Sequence, residues 1–421
     1  MTVTWPQRSS RVSNHCTSVS CISWTESRVS CLPLFAPTCN TTYTTMSSQL
    51  VSTLAWEKVV VENSIPERSS HGVSVVGETL VIFGGENVPR TPFDNQVHAL
   101  DLSSPKPRSW TVLQPSGGEA PEPRVAHAQC TLGDNIYISG GRQSITMEEA
   151  PLNDLYAFNV KSLVWENLTG TSTGTPPCPR SFHRMVSAGR KLYIFGGCAK
   201  VGRLADLYSY DVETKVWEEL PAFEKISGRG GPGFLPSSDG KSLFVVGGFS
   251  GKEMNDVFRY DIEQKLWEEV YPQENPSIRP FSVSCGAILE GRLTFFGGEV
   301  GESTKGHEGA GAFSADCQTF DGVTGKIYPS TVLEDHVHKP CPRGWTSTAG
   351  WGDDKLVVFG GLTGNDDAPM RLNDVWVLKP VESSVLEDRV LLLCDSFRGS
   401  NKISKTCMTE PTATQSINKK Q

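Results

Sequence analysis

No stretch of the chain stays apolar for the roughly eighteen residues that a membrane-crossing helix needs, so a helical span is excluded on length. Twelve cysteines are scattered without a single Cys-x-x-Cys pair, which removes the usual spacing of a structural zinc site and leaves isolated reduced thiols. Long Lys/Arg blocks are missing too. With 39 basic against 47 acidic residues the formal net charge is −8, and nothing tracks a phosphate backbone, which argues against a nucleic-acid partner. The N-terminus lacks the basic start and apolar core of a secretory signal. Together these absences predict a soluble cytoplasmic protein with no membrane association.

What is abundant is glycine, 40 residues, and much of it is periodic. Six segments, "TLVIFGG", "NIYISGG", "KLYIFGG", "SLFVVGG", "RLTFFGG" and "KLVVFGG", end in paired glycines at 84–85, 140–141, 196–197, 247–248, 297–298 and 360–361. The spacings are 56, 56, 51, 50 and 63, which makes this an internal repeat. Each unit runs from an Arg-led strand through the apolar run into the glycines, then a loop, a short strand such as "NDLYAFN" or "ADLYSYD", a turn, and a strand bearing Trp110, Trp165, Trp217 or Trp267. Alternating β-branched and aromatic residues bounded by Gly, Asp and Asn read as small antiparallel sheets. Four strands per unit, repeated radially, predict an all-β six-bladed β-propeller.

The ends of the array check this reading. Trp56 in "LAWEKV" resembles a final strand with no blade before it, while the last unit stops after "NDVWVLKP" with no Trp strand of its own. The N-terminal strand is therefore expected to complete the C-terminal blade and remove the exposed sheet edges. The propeller is placed at residues 54–379. Residues 1–50, rich in Ser and Thr, and 381–421 are expected to be disordered tails, with Met46 a candidate start. These repeats resemble the kelch pattern.

Each unit carries an arginine motif: Arg68-Ser-Ser-His71, Arg124-Val-Ala-His127, Arg180-Ser-Phe-His183, Arg229-Gly-Gly-Pro232, Arg279-Pro-Phe-Ser282 and Arg343-Gly-Trp-Thr346. Recurrence argues for scaffold; the alternative is a ring of guanidinium groups forming an anion-attracting mouth at the central channel. After the glycines the units diverge, reading Glu86, Arg142, Cys198, Phe249, Glu299 and Leu362, so this position is free for binding. Arg142 and Arg203 offer planar forks suited to a sulfate, phosphate or carboxylate, unless they are solvated loop arginines.

One loop narrows the resemblance. "FGGEVGESTKGHEGAG" (295–310), with "RGGPGF" (229–234) and "PRGWTS" (342–347), resembles the plant glucosinolate specifier proteins: the nitrile-specifier, epithiospecifier and thiocyanate-forming proteins and their kelch relatives. That family's loop has the form Glu-x-x-x-Asp-x-x-x-His and holds Fe(II). Carried over, Glu299 and His307 match, and Ser303 stands where the Asp belongs. The resemblance further implies Arg142 and Arg203 at the sulfate of a small anionic sulfur-containing substrate, a thiohydroximate-O-sulfate, with Phe182 and Trp345 packing its side chain. In the implied reaction Fe(II) binds the sulfur, the N–O bond breaks, and a nitrile leaves with sulfate. A neutral hydroxyl at Ser303 weakens the implied iron site. The competing reading is a non-catalytic kelch module that binds a protein ligand on its loop face. The pair His336-Val-His338, in the insert before Arg343, reads as solvated.

Overall fold

Leu54–Lys58 pairs antiparallel with Met370–Pro380, Trp56 opposite Leu378, so the first strand of the array is the outer strand of its last blade. This is the closure expected from the unpaired Trp56. The computed structural model describes residues 53–104, 107–143, 149–329, 331–332, 339–347 and 349–381. The two tails, apart from Val381, and the pair His336/His338 lie outside the described residues.

Six blade sheets follow one another around the ring, each with its four principal strands in chain order apart from the closing blade, and a small two-stranded sheet pairs Glu299–Gly301 with Ala312–Phe313. Blade 4 shows the pattern: Gly233–Pro236, Ser242–Phe249, Glu253–Asp261 and Leu266–Tyr271. In blade 3 a fifth, two-residue strand, Thr173–Gly174, adds in parallel to Val216–Leu220. Among the described residues no helix is long and apolar enough to cross a membrane.

The core lies between blades rather than within them. Leu155 and Tyr137 of blade 2 pack with Leu192, Ile194 and Trp217 of blade 3, and equivalent clusters fill the other interfaces. Trp110, Trp165 and Trp217 are at most 5% exposed, so each closing strand buries an aromatic worth about 2–3 kcal/mol.

The motif arginines are scaffold, not a channel mouth. Arg68, Arg124, Arg180, Arg229 and Arg343 are at most 1% exposed. Each donates from Nη1 to the carbonyl of the first glycine of its own pair, Gly84, Gly140, Gly196, Gly247 or Gly360, at 2.9–3.1 Å. Four of them also grip an aspartate with both Nη atoms: Asp154, Asp206, Asp256 and Asp374. Arg68 lies 3.5 Å from Asp94. Buried guanidinium groups tolerate desolvation only with such partners.

The fifth blade departs from the expected motif. Arg279 sits two residues too early, and Phe281 occupies the arginine position, its carbonyl accepting the Gly248 N–H as the Arg124 carbonyl accepts that of Gly85. Arg279 instead reaches Asp316 near the surface, at 3.0 Å. The Arg-x-x-Ser spacing of "RPFS" gave the wrong register because the residue types recur two positions out of phase.

Two residues after each of these positions the chain takes a left-handed turn. Ser70, Ala126, Phe182, Gly231, Val283 and Trp345 have φ of 45–58°. Each donates its N–H to the carbonyl of its counterpart in the preceding blade, at 2.7–2.9 Å, and Ser70 closes the circle onto Trp345. Six backbone hydrogen bonds therefore run around the channel, one across each blade boundary. Five of the six donors carry a Cβ in a region that disfavours it, a strain held by the surrounding packing.

Candidate functional site

The residue after each double glycine bridges to the residue after the motif position: Glu86 to Ser69, Arg142 to Val125, Cys198 to Ser181, Phe249 to Gly230, Glu299 to Ser282 and Leu362 to Gly344. The pairing sets the variable positions in a circle above the hydrogen-bonded ring. A second glycine is required below them, since a Cβ on Gly85 would lie 2.8 Å from the Ser69 carbonyl oxygen.

Inside this circle is a pocket of about 310 Å³. Arg142, Arg203, Phe182, Trp345, Glu299 and Ser303, all singled out from the sequence, line it together. The Arg142 Nε donates to Ser181 Oγ at 3.0 Å and its Nη1 to the Glu149 carbonyl at 2.9 Å, which hold the fork in place. Arg203 lies over the Phe249 ring, 4.6 Å from its centroid. Neither pairs with a carboxylate among the described residues, so both keep charge to offer an anion. Phe182 and Trp345, on opposite blades, meet at 5.5 Å between ring centroids and form the floor.

The opposite wall is acidic. Glu299 is 8% exposed, and burial together with the nearby Glu253 pushes its carboxyl up to about 7 against a hydrogen bond from Trp345. Glu253 accepts from Ser282 Oγ at 3.1 Å, and burial raises its carboxyl as well. Glu86 is also raised by burial although Ser70 Oγ donates to it at 2.8 Å. The pocket therefore joins a cationic wall on blades 2 and 3 to protonatable carboxyls on blades 1, 4 and 5, over an aromatic floor.

The loop carrying Ser303 is tied to the sixth blade. Ser303 Oγ donates to Asp366 Oδ1 at 2.5 Å, while Thr304 N and Oγ1 donate to Oδ2 at 2.8 and 2.5 Å. These donors hold the Asp366 carboxyl down at about 2. The glycines of "GHEGAG" make the room: a Cβ on Gly309 would fall 2.2 Å from Asp366 Oδ1, and one on Gly311 2.3 Å from Glu299 Oε1. His307 lies in the short 3₁₀ turn Gly306–Glu308, and its side chain is outside the described residues.

The described donors do not make the implied Fe(II) set. Glu299 supplies one carboxylate, the Ser303 hydroxyl is engaged by Asp366, and no group of three or more His, Cys, Asp or Glu among the described residues could hold a metal ion. Non-haem iron usually takes three protein ligands.

Asp366, Glu253 and Arg90 also shape the site, and sequence reading passed over all three. Asp366, in a loop of blade 6, and Glu253, at the start of a blade 4 strand, have no spacing relation to the residues they meet. Arg90, whose backbone N–H donates to Glu86 Oε2 at 2.5 Å, sits in an irregular loop with φ of 60°.

Comparison with known proteins gives the same architecture. The family described as the KLHDC2/KLHL20/DRC7 Kelch-repeats domain matches residues 36–171 and 70–298. The chain is 29% identical over 322 residues to an N-(sulfonatooxy)prop-2-enimidothioate sulfolyase of Thlaspi arvense, covering 70% of this chain and 88% of that one. It is 27% identical over 367 residues to Adagio protein 3 of Arabidopsis thaliana, 80% of this chain but 52% of the relative. With Kelch domain-containing protein 1 of Mus musculus it shares 29% over 192 residues, 40% of this chain and 45% of the relative. The solved structure of YjhT superposes with a TM-score of 0.58 at 18% identity, over 77% of this chain and 97% of that one, a likeness of fold. Six glycine-paired blades, a ring closed by the N-terminal strand and a family match across most of the array make this chain a member of the kelch-repeat family.

Proposed function

We propose that this kelch protein is specifier-like: its loop-face pocket binds a thiohydroximate-O-sulfate and promotes its breakdown to a nitrile. The observation that carries the reading is the pair Arg142 and Arg203, free of carboxylates among the described residues, on one wall of a pocket floored by Phe182 and Trp345. Similarity to a sulfolyase over most of both chains supports it.

In this reaction the N–O bond breaks with its electron pair passing to the departing sulfate oxygen, the carbon–nitrogen bond becomes triple, and sulfur leaves uncharged. Charge builds on the leaving sulfate, and guanidinium forks stabilise it where it forms. The aromatic floor orients the side chain and keeps water from that face. The proposed setting is the cytoplasm, a reducing compartment that suits the free thiols of Cys130, Cys178, Cys198, Cys285, Cys317 and Cys341.

The test is the protein with a thioglucosidase and an alkenyl glucosinolate, with and without added Fe(II), with nitrile measured by gas chromatography. Nitrile above the protein-free control supports the reading, and product equal to the control at saturating Fe(II) removes it.

A second reading, a non-catalytic module for a protein ligand, is favoured by the engagement of Ser303 with Asp366 and by the exposed Val88, Val201 and Met370 on the loops around the pocket. Capture of a partner that is lost in the Arg142→Ala/Arg203→Ala double variant, with no nitrile formed, would select it.

A further inference from the structure

Beneath the aromatic floor the channel contains a second, separate space of about 30 Å³, large enough for one water molecule or one small ion. Phe182 and Trp345, which also line the pocket above, and Arg184, which does not, are among its lining residues. Arg184 follows the His183 position on the innermost strand of blade 3 and reaches across the axis. Its Nε donates to the Pro232 carbonyl at 3.2 Å and its Nη2 to the Ser284 carbonyl at 2.8 Å, with the Thr346 carbonyl 3.5 Å from both Nη atoms. These acceptors belong to blades 4, 5 and 6, and all are neutral.

Arg184 is thus a guanidinium on the propeller axis with no carboxylate partner among the described residues. The contrast within the same molecule is sharp, since each of the five buried motif arginines faces an aspartate. The titratable groups around it offer no compensation: His71, His127 and His183 line the same space, and Cys285 lies near. Burial and the neighbouring arginines keep these histidines neutral. A neutral imidazole carries one N–H. His127 and His183, 6% and 2% exposed, both line this space and have no hydrogen-bond partner for either ring nitrogen among the described residues.

A one-ion cavity lined by an uncompensated guanidinium and idle imidazole N–H groups has the chemistry of an anion site. We propose that the central channel binds a single small monovalent anion, of the halide class, between Arg184 and His183. The aromatic floor separates this site from the pocket above, and the site does not depend on what that pocket does.

The experiment uses the whole protein in chloride against gluconate at equal ionic strength, and crystals soaked in bromide for anomalous diffraction. The expected results are one bromide peak within hydrogen-bonding reach of Arg184 and a saturable rise in melting temperature with chloride. At chloride ten times its Kd the folded-to-unfolded ratio rises about elevenfold. Arg184→Met should remove both signals. If that variant fails to fold, His183→Phe serves instead, and should weaken the chloride dependence at least severalfold. No anomalous peak in the channel, or equal melting in chloride and gluconate, means that the cavity holds only water and overturns the proposal.

Discussion

The rings of Phe182 and Trp345 stand edge to face at 89° with centroids 5.5 Å apart, although their blades lie on opposite sides of the propeller. Both residues belong to the left-handed hydrogen-bonded ring, so the backbone turn that closes the channel also aims the two side chains at one another. An edge-to-face pair contributes about 0.5–1.5 kcal/mol beyond its buried area. Trp345→Ala should therefore cost about 1–2 kcal/mol of stability in urea denaturation and weaken binding of an organic sulfate about tenfold by calorimetry. Unchanged affinity would show that the floor does not touch the ligand.

Arg142→Ala and Arg203→Ala should each weaken the same ligand about 10- to 100-fold, the value of one charge-assisted hydrogen-bonded contact. Lysine at Arg142 should recover little, because a point charge cannot replace the fork that Ser181 and Glu149 hold in place. Full recovery would mean that charge alone matters.

The scaffold arginines should behave in the opposite way. Asp154→Asn leaves the fully buried Arg124 without its ionic partner and should cost about 3–5 kcal/mol, with little effect on ligand affinity in the protein that still folds. Arg279→Ala breaks only a partly exposed pair with Asp316 and should cost less than about 1 kcal/mol. Equal costs would contradict the two-residue displacement in the fifth blade.

Glu299 predicts a pH effect with a definite sign. Its carboxyl is raised to about 7 in the folded protein, so between the unfolded value of 4.5 and about 7 the folded chain binds more protons than the unfolded one, and stability falls as pH rises through that window. Glu299→Gln should remove that fall. The variant should gain up to about 3 kcal/mol relative to the parent at pH 8, and nothing from this source at pH 4. Parallel stability profiles for the two proteins would show that Glu299 is not held in its neutral form.

Ser303→Asp tests the loop lock. A carboxylate at 303 would face Asp366, which now accepts from Ser303 at 2.5 Å, so the single substitution should loosen the loop and speed amide exchange at residues 303–305. Ser303→Asp with Asp366→Ala removes the facing carboxylate, so calorimetric titration with Fe(II) should find tighter binding in the double variant than in the single one, while exchange at Thr304 stays fast because its acceptor is gone. The reverse order would show that Asp366 helps to hold the cation.

Blade number, blade order and closure were legible because they repeat: the double glycine leaves a mark every fifty or so residues, and Trp56 is conspicuous as a final strand without a blade. Arg142 could be picked out because it varies at a fixed offset from that mark and Arg203 because it stands in the loop that follows the next one, whereas Phe182 and Trp345 came only with the resemblance to the specifier proteins. What was not legible depends on contacts between loops of different blades. Asp366 meets Ser303 across 63 positions of sequence, and no periodicity connects them. The displaced Arg279 was misread for a related reason, since Phe281 keeps the backbone contacts of the motif without its side chain.

Closure by Leu54–Lys58 also bears on how the molecule is made. These residues emerge before the rest of the array, yet their partner, Met370–Pro380, is translated more than three hundred residues later. At about 5–20 residues per second, the earliest strand waits some tens of seconds for its mate. Until then the circle of backbone bonds lacks its last link, and the blade 6 edge stands open to any passing strand. Closure of the propeller therefore waits for Met370–Pro380, and the nascent chain is most exposed to mispairing in the interval before these two strands meet.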